Sequence, residues 1–214
     1  MARFTPDDDG LACYNGKTKA ERWCTLNSGT IDYLKIHPYE DASNCGTISW
    51  VSNIMDSSAD MMRKGEGVDV TDRILRFSAK EDRLWYEVDL KEGTYCHWTT
   101  LEGFPQEPDN IRFFGKTLYL CTDGRTPNGV YGVDKNGYFG VIQEIDLNTE
   151  AAGLDFSPDG MYMYVSFQEH SIWQVWREDG MSFNDKTAGH HYISTDSAIY
   201  DTDIALEAII EDAL

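Results

Sequence analysis

The sequence has little positive charge. It contains 18 Lys and Arg residues against 37 Asp and Glu residues, and its net charge is −19. Nucleic-acid binding is not expected, because contacts to phosphates need a basic face. Binding to an anionic lipid surface is disfavoured for the same reason. Cations or basic partners fit this charge better, and an acidic surface that serves solubility alone explains it equally well.

Long apolar runs and familiar catalytic motifs are also absent. No apolar run approaches the roughly 20 residues of a membrane-spanning helix, and residues 1–5 lack the apolar core of a signal peptide. No P-loop, G-x-G-x-x-G, G-x-S-x-G or H-E-x-x-H motif occurs. We therefore expect a soluble protein without a membrane span. The sequence leaves its compartment open, since an organellar lumen and the extracellular space both fit.

The five cysteines do not form a C-x-x-C motif, so a zinc ribbon and a thioredoxin-type site are excluded. Cys96 and Cys121 lie in expected strands, and we predict that both are small core residues. The other three, Cys13, Cys24 and Cys45, lie in an irregular first quarter. They are either free thiols or include a disulfide, and the sequence does not decide between these states.

A repeat of 43 residues is the main positive signal. Short strands recur in the same register, and Gly-containing hairpin turns follow a later set of strands at nearly the same period. A period of 40–50 residues made of short strands and Gly turns is typical of β-propeller blades. The repeated segments are 66–70, 109–113 and 152–156, then 84–88, 130–133 and 172–175, with turn glycines Gly93, Gly137 and Gly180.

The predicted fold is all-β: a partial β-propeller of about three to four blades, each of four antiparallel strands. Residues 1–60 form an irregular segment or a partial blade, residues 61–190 form three blades, and residues 191–214 form an acidic tail with a short helix. Strands are expected at 22–26 and 47–51 in the first segment. On the innermost strands of the blades, Val68, Ile111 and Leu154 should be buried.

A closed six-bladed ring needs about 260 residues, and this chain has 214. Exposed blade edges promote aggregation unless they are covered. We therefore expect other protein chains, or missing blades of the same protein, as partners.

Carboxylates recur at the start of the innermost strands. Glu66 and Asp109 are equivalent in the repeat, Ala152 takes the third position, and Glu150 lies just before it. Such residues face the mouth of the propeller channel, where like charges repel unless a cation neutralises them. Ca²⁺ suits this arrangement because it accepts six to eight oxygen ligands in irregular geometry. The alternative is a set of separate, solvated turn carboxylates.

Three motifs are similar to those of a known family: Pro108-Asp109-Asn110, Thr122-Asp123-Gly124, and the run from Glu150 to Gly160. Together they resemble the C-terminal half of PhoX-type alkaline phosphatases, in particular algal relatives. The resemblance implies a six-bladed propeller that holds calcium and iron at the channel mouth and hydrolyses phosphate monoesters. It also implies that Glu66, Asp109 and Glu150 are calcium or near-metal ligands, with Asn110 and Asp123 as supporting residues.

The chain departs from that family in its N-terminal part. The family's iron-binding cysteine belongs to an Asn-Cys-Ala-Gly-Gly motif, which Asn44-Cys45-Gly46 resembles only superficially, so iron is not expected here. We predict a non-catalytic, degenerate scaffold or accessory subunit of a larger assembly, with calcium as a structural ion and no assignable catalytic residue. The alternative is part of an active calcium- and iron-dependent phosphatase, with a phosphate ester as substrate.

Overall fold

The computed structural model describes residues 1–15, 18, 21–41, 43–124, 127–144, 149–168 and 172–184. In these residues the protein is all-β, as the sequence predicts, and the strands form two compact units. The predicted C-terminal helix lies outside the described residues. No helix in the described part of the chain has the length and apolar character that a membrane span requires.

The first unit contains residues 1–63 and 92–96. Its strands β1 (Ala2–Pro6), β2 (Gly29–Pro38) and β3 (Cys45–Val51) pair antiparallel in that order, and β3 pairs in turn with the first half of β7 (Thr94–Thr99). The predicted strand at 47–51 is confirmed, whereas the one at 22–26 is wrong because that segment forms a 3₁₀ helix. The unit also contains α1 (Asp8–Tyr14) and the 3₁₀ helices Glu21–Asn27, Ile54–Asp56 and Ala59–Met61.

A disulfide within this unit decides the predictions for Cys45 and Cys96. Cys45 and Cys96 are directly opposite in the β3–β7 ladder and form a disulfide, so Cys96 is not a free core residue. The sequence suggested a disulfide only among the first three cysteines, because strand pairing across 51 residues is not visible in it. Cys24 is also disulfide-bonded. Cys121 is free and fully buried, as predicted.

The second unit holds three consecutive antiparallel groups of strands: β4-β5-β6 with the second half of β7, then the sheets β8-β9-β10-β11 and β12-β13-β14. The second sheet has the four antiparallel strands predicted for each blade, and Gly93, Gly137 and Gly180 adopt positive φ at the predicted turns. The strands are β4 (Gly65–Thr71), β5 (Ile74–Ala79), β6 (Leu84–Asp89), β7 (Thr94–Thr99), β8 (Glu107–Phe114), β9 (Thr117–Asp123), β10 (Asn128–Asp134), β11 (Gly137–Glu144), β12 (Ala151–Phe156), β13 (Tyr162–Phe167) and β14 (Ile172–Trp176), and Thr100–Glu102 is a 3₁₀ helix.

The second sheet is buried on both faces. Alternation along β9 sends Leu118 and Leu120 to one face and Tyr119 and Cys121 to the other. The first face packs against Trp85 of β6, and the second packs against the third sheet. The sheets therefore stack face to face, and each strand of the middle sheet contributes side chains to two separate hydrophobic cores.

The first strands of the three sheets lie side by side: β4 contacts β8, and β8 contacts β12. Gly67 makes this approach possible, since a Cβ at that position would lie 2.3 Å from the backbone nitrogen of Ile111. Ile111 and Leu154 are buried as predicted, but Val68 is 55% exposed. A register shift precedes Val68 in β4 and Ile111 in β8 alike, so the shift does not cause the difference. Gly67 and Asp69 are buried on one face of β4, and Val68 and Val70 lie on its other face, which is exposed in the described residues.

One position of the repeat links all three first strands by charge. Asp69, Arg112 and Asp155 are 43 residues apart. Arg112 Nη1 donates to Asp69 at 3.0 Å, and Arg112 Nε pairs with Asp155 at 3.2 Å. The buried Asp69 carboxylate also accepts the Phe113 N–H at 2.7 Å. Side chains of the same charge at these equivalent positions would repel each other. Because the charges alternate in sign, the three side chains form ion pairs that link the sheets.

Truncation tests this packing. We expect Ile111→Ala to lower the free energy of unfolding by about 2–5 kcal/mol, because it opens a cavity in a packed core. Val68→Ala, on a neighbouring strand but exposed, should change it by about 0.5 kcal/mol or less. Urea denaturation measures both changes. Equal losses for the two variants would contradict the register described for β4 and β8.

Candidate functional site

Charged residues collect at one end of the three sheets. In an antiparallel sheet, the start of one strand lies beside the end of the next. Glu66 therefore lies near the end of β5, which Lys80 follows directly, and Asp109 lies near Asp123 at the end of β9. Glu150 precedes β12.

Three of the five predicted site residues form a tight cluster. One carboxylate oxygen from each of Asp109, Asp123 and Glu150 lies within 4.8 Å of the others, and all three side chains are partly buried. The fourth, Glu66, lies beside the cluster and is linked to it through Lys80. The fifth, Asn110, contributes its backbone N–H, which donates to the Asp109 carboxylate.

Lys80 is a site residue that was not predicted from the sequence. Its Nζ contacts the carboxylate of Asp123, lies 3.8 Å from Asp109 Oδ2 and lies 4.0 Å from Glu66 Oε1. The side chain is only 14% exposed. One signal could have revealed it, because Lys80 and Asp123 are 43 residues apart and therefore equivalent in the repeat. Here, as at Arg112, equivalent positions carry opposite charges and contact each other.

Burial constrains the carboxylate of Asp109. Removal from water raises its pKa above the ordinary value of 3.8; Lys80 opposes this shift, and the negative charge of Glu66 adds to it. The Asp109 backbone is fixed as well, since Ser78 Oγ donates to its carbonyl at 2.6 Å and accepts the Gly67 N–H at 3.1 Å. The carboxylate is therefore held in a position that disfavours its own charge.

Asn128 links the two chain segments that carry Asp123 and Glu150. It is 1% exposed, and its Nδ2 donates to the carbonyls of Gly124 and Thr149, the residues adjacent in sequence to Asp123 and Glu150. Its Oδ1 is buried and has no hydrogen-bond partner among the described residues. A buried acceptor normally has a partner. No feature of the sequence selects Asn128, because its contacts depend on the backbone of two other segments.

The donor set fits a hard divalent cation. Calcium binds oxygen at 2.3–2.6 Å, so two of its ligands lie at most about 5 Å apart, and the three clustered carboxylates meet this limit. The cluster contains no histidine or cysteine ligand among the described residues. Oxygen-only sites favour calcium, magnesium or manganese over softer metals.

Comparison of the chain with protein-family models and with curated proteins gives no match.

The raised pKa of Asp109 predicts a pH dependence of stability in the presence of chelator. A carboxyl whose pKa is higher in the folded state stabilises the fold when protonated, and this contribution is lost as pH rises through the folded-state pKa. Asp109→Asn is neutral throughout. Its free energy of unfolding relative to the parent should therefore increase between about pH 3 and pH 7. Denaturation at a series of pH values measures this difference, and a decrease over the same range would contradict it.

Proposed function

We propose that this chain is a non-catalytic, PhoX-like β-propeller segment that binds calcium at the end of its sheets and serves as a scaffold or accessory subunit of a larger assembly. The observation that carries the proposal is the convergence of Asp109, Asp123 and Glu150, from three separate chain segments, within one coordination distance. When bound, calcium would supply charge neutralisation there, and the carboxylates would act as its ligands.

The propeller arrangement is supported by the order of the second unit. Its sheets follow one another along the chain, each an antiparallel meander, and their first strands are adjacent. That is the relation of consecutive blades around an axis. Glu66, Asp109 and Glu150 lie at or just before the start of these first strands, where a channel mouth would be.

Calcium without iron is supported by the state of the cysteines. Cys45, which superficially matches the family's iron ligand, is held in a disulfide with Cys96 and offers no thiolate. Burial, with the nearby Asp109 charge, raises the pKa of Cys121 well above its ordinary value, so this thiol stays protonated. Oxygen ligands remain, and calcium prefers them.

A role within an assembly is supported by the outward face of the third sheet. Tyr162, Tyr164, Ile172 and Trp176 share this face through the β13–β14 register, and each is between 37% and 71% exposed. Apolar faces of this kind are usually covered by a partner. Another β-sheet that stacks face to face, as the three sheets of this unit do, is the partner that fits.

Calcium should raise the thermal stability of the parent protein. Binding to the folded state alone stabilises it by about 2.7 kcal/mol at a hundredfold excess over Kd, and thermal unfolding with calcium or with chelator measures the shift in Tm. Asp109→Asn removes one charged ligand and should reduce the shift. Asp72→Asn is the matched control, because Asp72 lies in the β4–β5 turn, at the opposite end of the same strands. An unchanged Tm in the parent, or an equal shift in both variants, would contradict the site.

The chain should not hydrolyse phosphate monoesters at enzyme rates. Metal-dependent phosphoryl chemistry needs a full metal cluster to hold the phosphoryl oxygens, and this cluster provides carboxylates for one ion. The assay uses an aryl phosphate with excess calcium and ferrous or ferric iron. Turnover of about 1 per second or more would favour the alternative, an active phosphatase part.

A further inference from the structure

Lys80 has an unusual position for a lysine in a cation site. Its ammonium group lies among the same carboxylates that would bind the ion, and it is largely shielded from water. An ammonium is a compact charge on a flexible four-carbon stem. It can therefore occupy the place of a metal ion and can also withdraw from it without any change in the backbone.

We infer that Lys80 is a built-in competitor for the cation: its ammonium neutralises the carboxylate cluster when calcium is absent and must move out when calcium binds. This inference rests on the proposed calcium site. The overlap is geometric. Both the ammonium and a calcium ion would contact the carboxylates of Asp109 and Asp123, and two cations at such distances repel.

Competition of this kind has two consequences. The folded protein does not need the metal to offset the repulsion between Asp109, Asp123 and their neighbours, because Lys80 already offsets part of it. The affinity for calcium is also lowered, because the ion must replace existing ion pairs before it gains its own. The site would then respond to changes in calcium concentration instead of holding a permanent ion.

Removal of the ammonium tests the inference through binding affinity. Lys80→Met keeps the length of the side chain and deletes its charge, whereas Lys80→Arg retains a cation. Calcium titration calorimetry should give Lys80→Met a Kd at least about tenfold lower than that of the parent, which corresponds to about 1.4 kcal/mol. Lys80→Arg should stay close to the parent or bind more weakly.

Lys116→Met is the matched control for the loss of one positive charge. Lys116 lies in the β8–β9 turn, at the opposite end of the second sheet from Asp123, so its removal should leave the Kd nearly unchanged. An equal gain in both Met variants would show a general charge effect and overturn the inference.

The outcomes separate this inference from the proposed function. If the parent and Lys80→Met bind calcium equally well, the competitor role is wrong and the calcium site stands. If only Lys80→Met binds, the competitor role is supported, and the parent is not a calcium protein. If neither binds, both are wrong.

A second measurement needs no variant and so remains decisive if Lys80→Met does not fold. Reductive methylation of the parent protein, followed residue by residue with mass spectrometry, reports how accessible each lysine ammonium is. Saturating calcium should make Lys80 react faster than it does with chelator, while Lys116 should be unaffected. An unchanged or slower reaction of Lys80 in a sample that binds calcium would overturn the inference.

Discussion

The close approach of three first strands is the constraint on which the rest of the second unit depends. At Gly67 the backbone of β4 comes so near to β8 that a methyl group would collide with Ile111. With a 43-residue repeat, this approach brings equivalent residues of successive sheets next to each other. Any charge at such a position must then be balanced by its neighbours, because partly buried like charges repel strongly.

The chain meets this constraint by alternation of sign. Arg112 stands between Asp69 and Asp155, and Lys80 stands against Asp123, its equivalent in the next sheet. The two clusters differ in their ratio of negative to positive side chains. The Arg112 bridge has two carboxylates for one guanidinium. Among the described residues, the cluster at the sheet ends has four carboxylates for one ammonium. This surplus of negative charge is what gives the second cluster a capacity for a divalent cation.

The repeat was enough to predict the strands of the second sheet and part of the site. It selected Glu66, Asp109 and Glu150, of which Asp109 and Glu150 belong to the cluster, whereas Asp123 was expected only from the family resemblance. Whether the sheets close into a propeller ring stays a prediction, and so do the domain boundaries.

The features that could not be predicted from the sequence depend on contacts between distant segments, and such contacts leave no local sequence pattern. Val68 is exposed although its equivalents Ile111 and Leu154 are buried, because its face of β4 is exposed in the described residues, and the repeat cannot show which sheet faces stay uncovered. The Cys45–Cys96 bond depends on which strands pair. Asn128 becomes relevant only through backbone carbonyls of two other segments, and Lys80 looks like an ordinary turn lysine until its equivalence with Asp123 is recognised.

The most direct test of the account is a crystal structure of the protein grown with strontium, a calcium substitute with strong anomalous scattering. The account predicts an anomalous peak bonded to carboxylate oxygens of Asp109, Asp123 and Glu150 at calcium-like distances, about 2.3–2.6 Å, with the Lys80 ammonium withdrawn from the cluster. A structure without such a peak, in which the Lys80 ammonium still lies between Asp109 and Asp123, would contradict it.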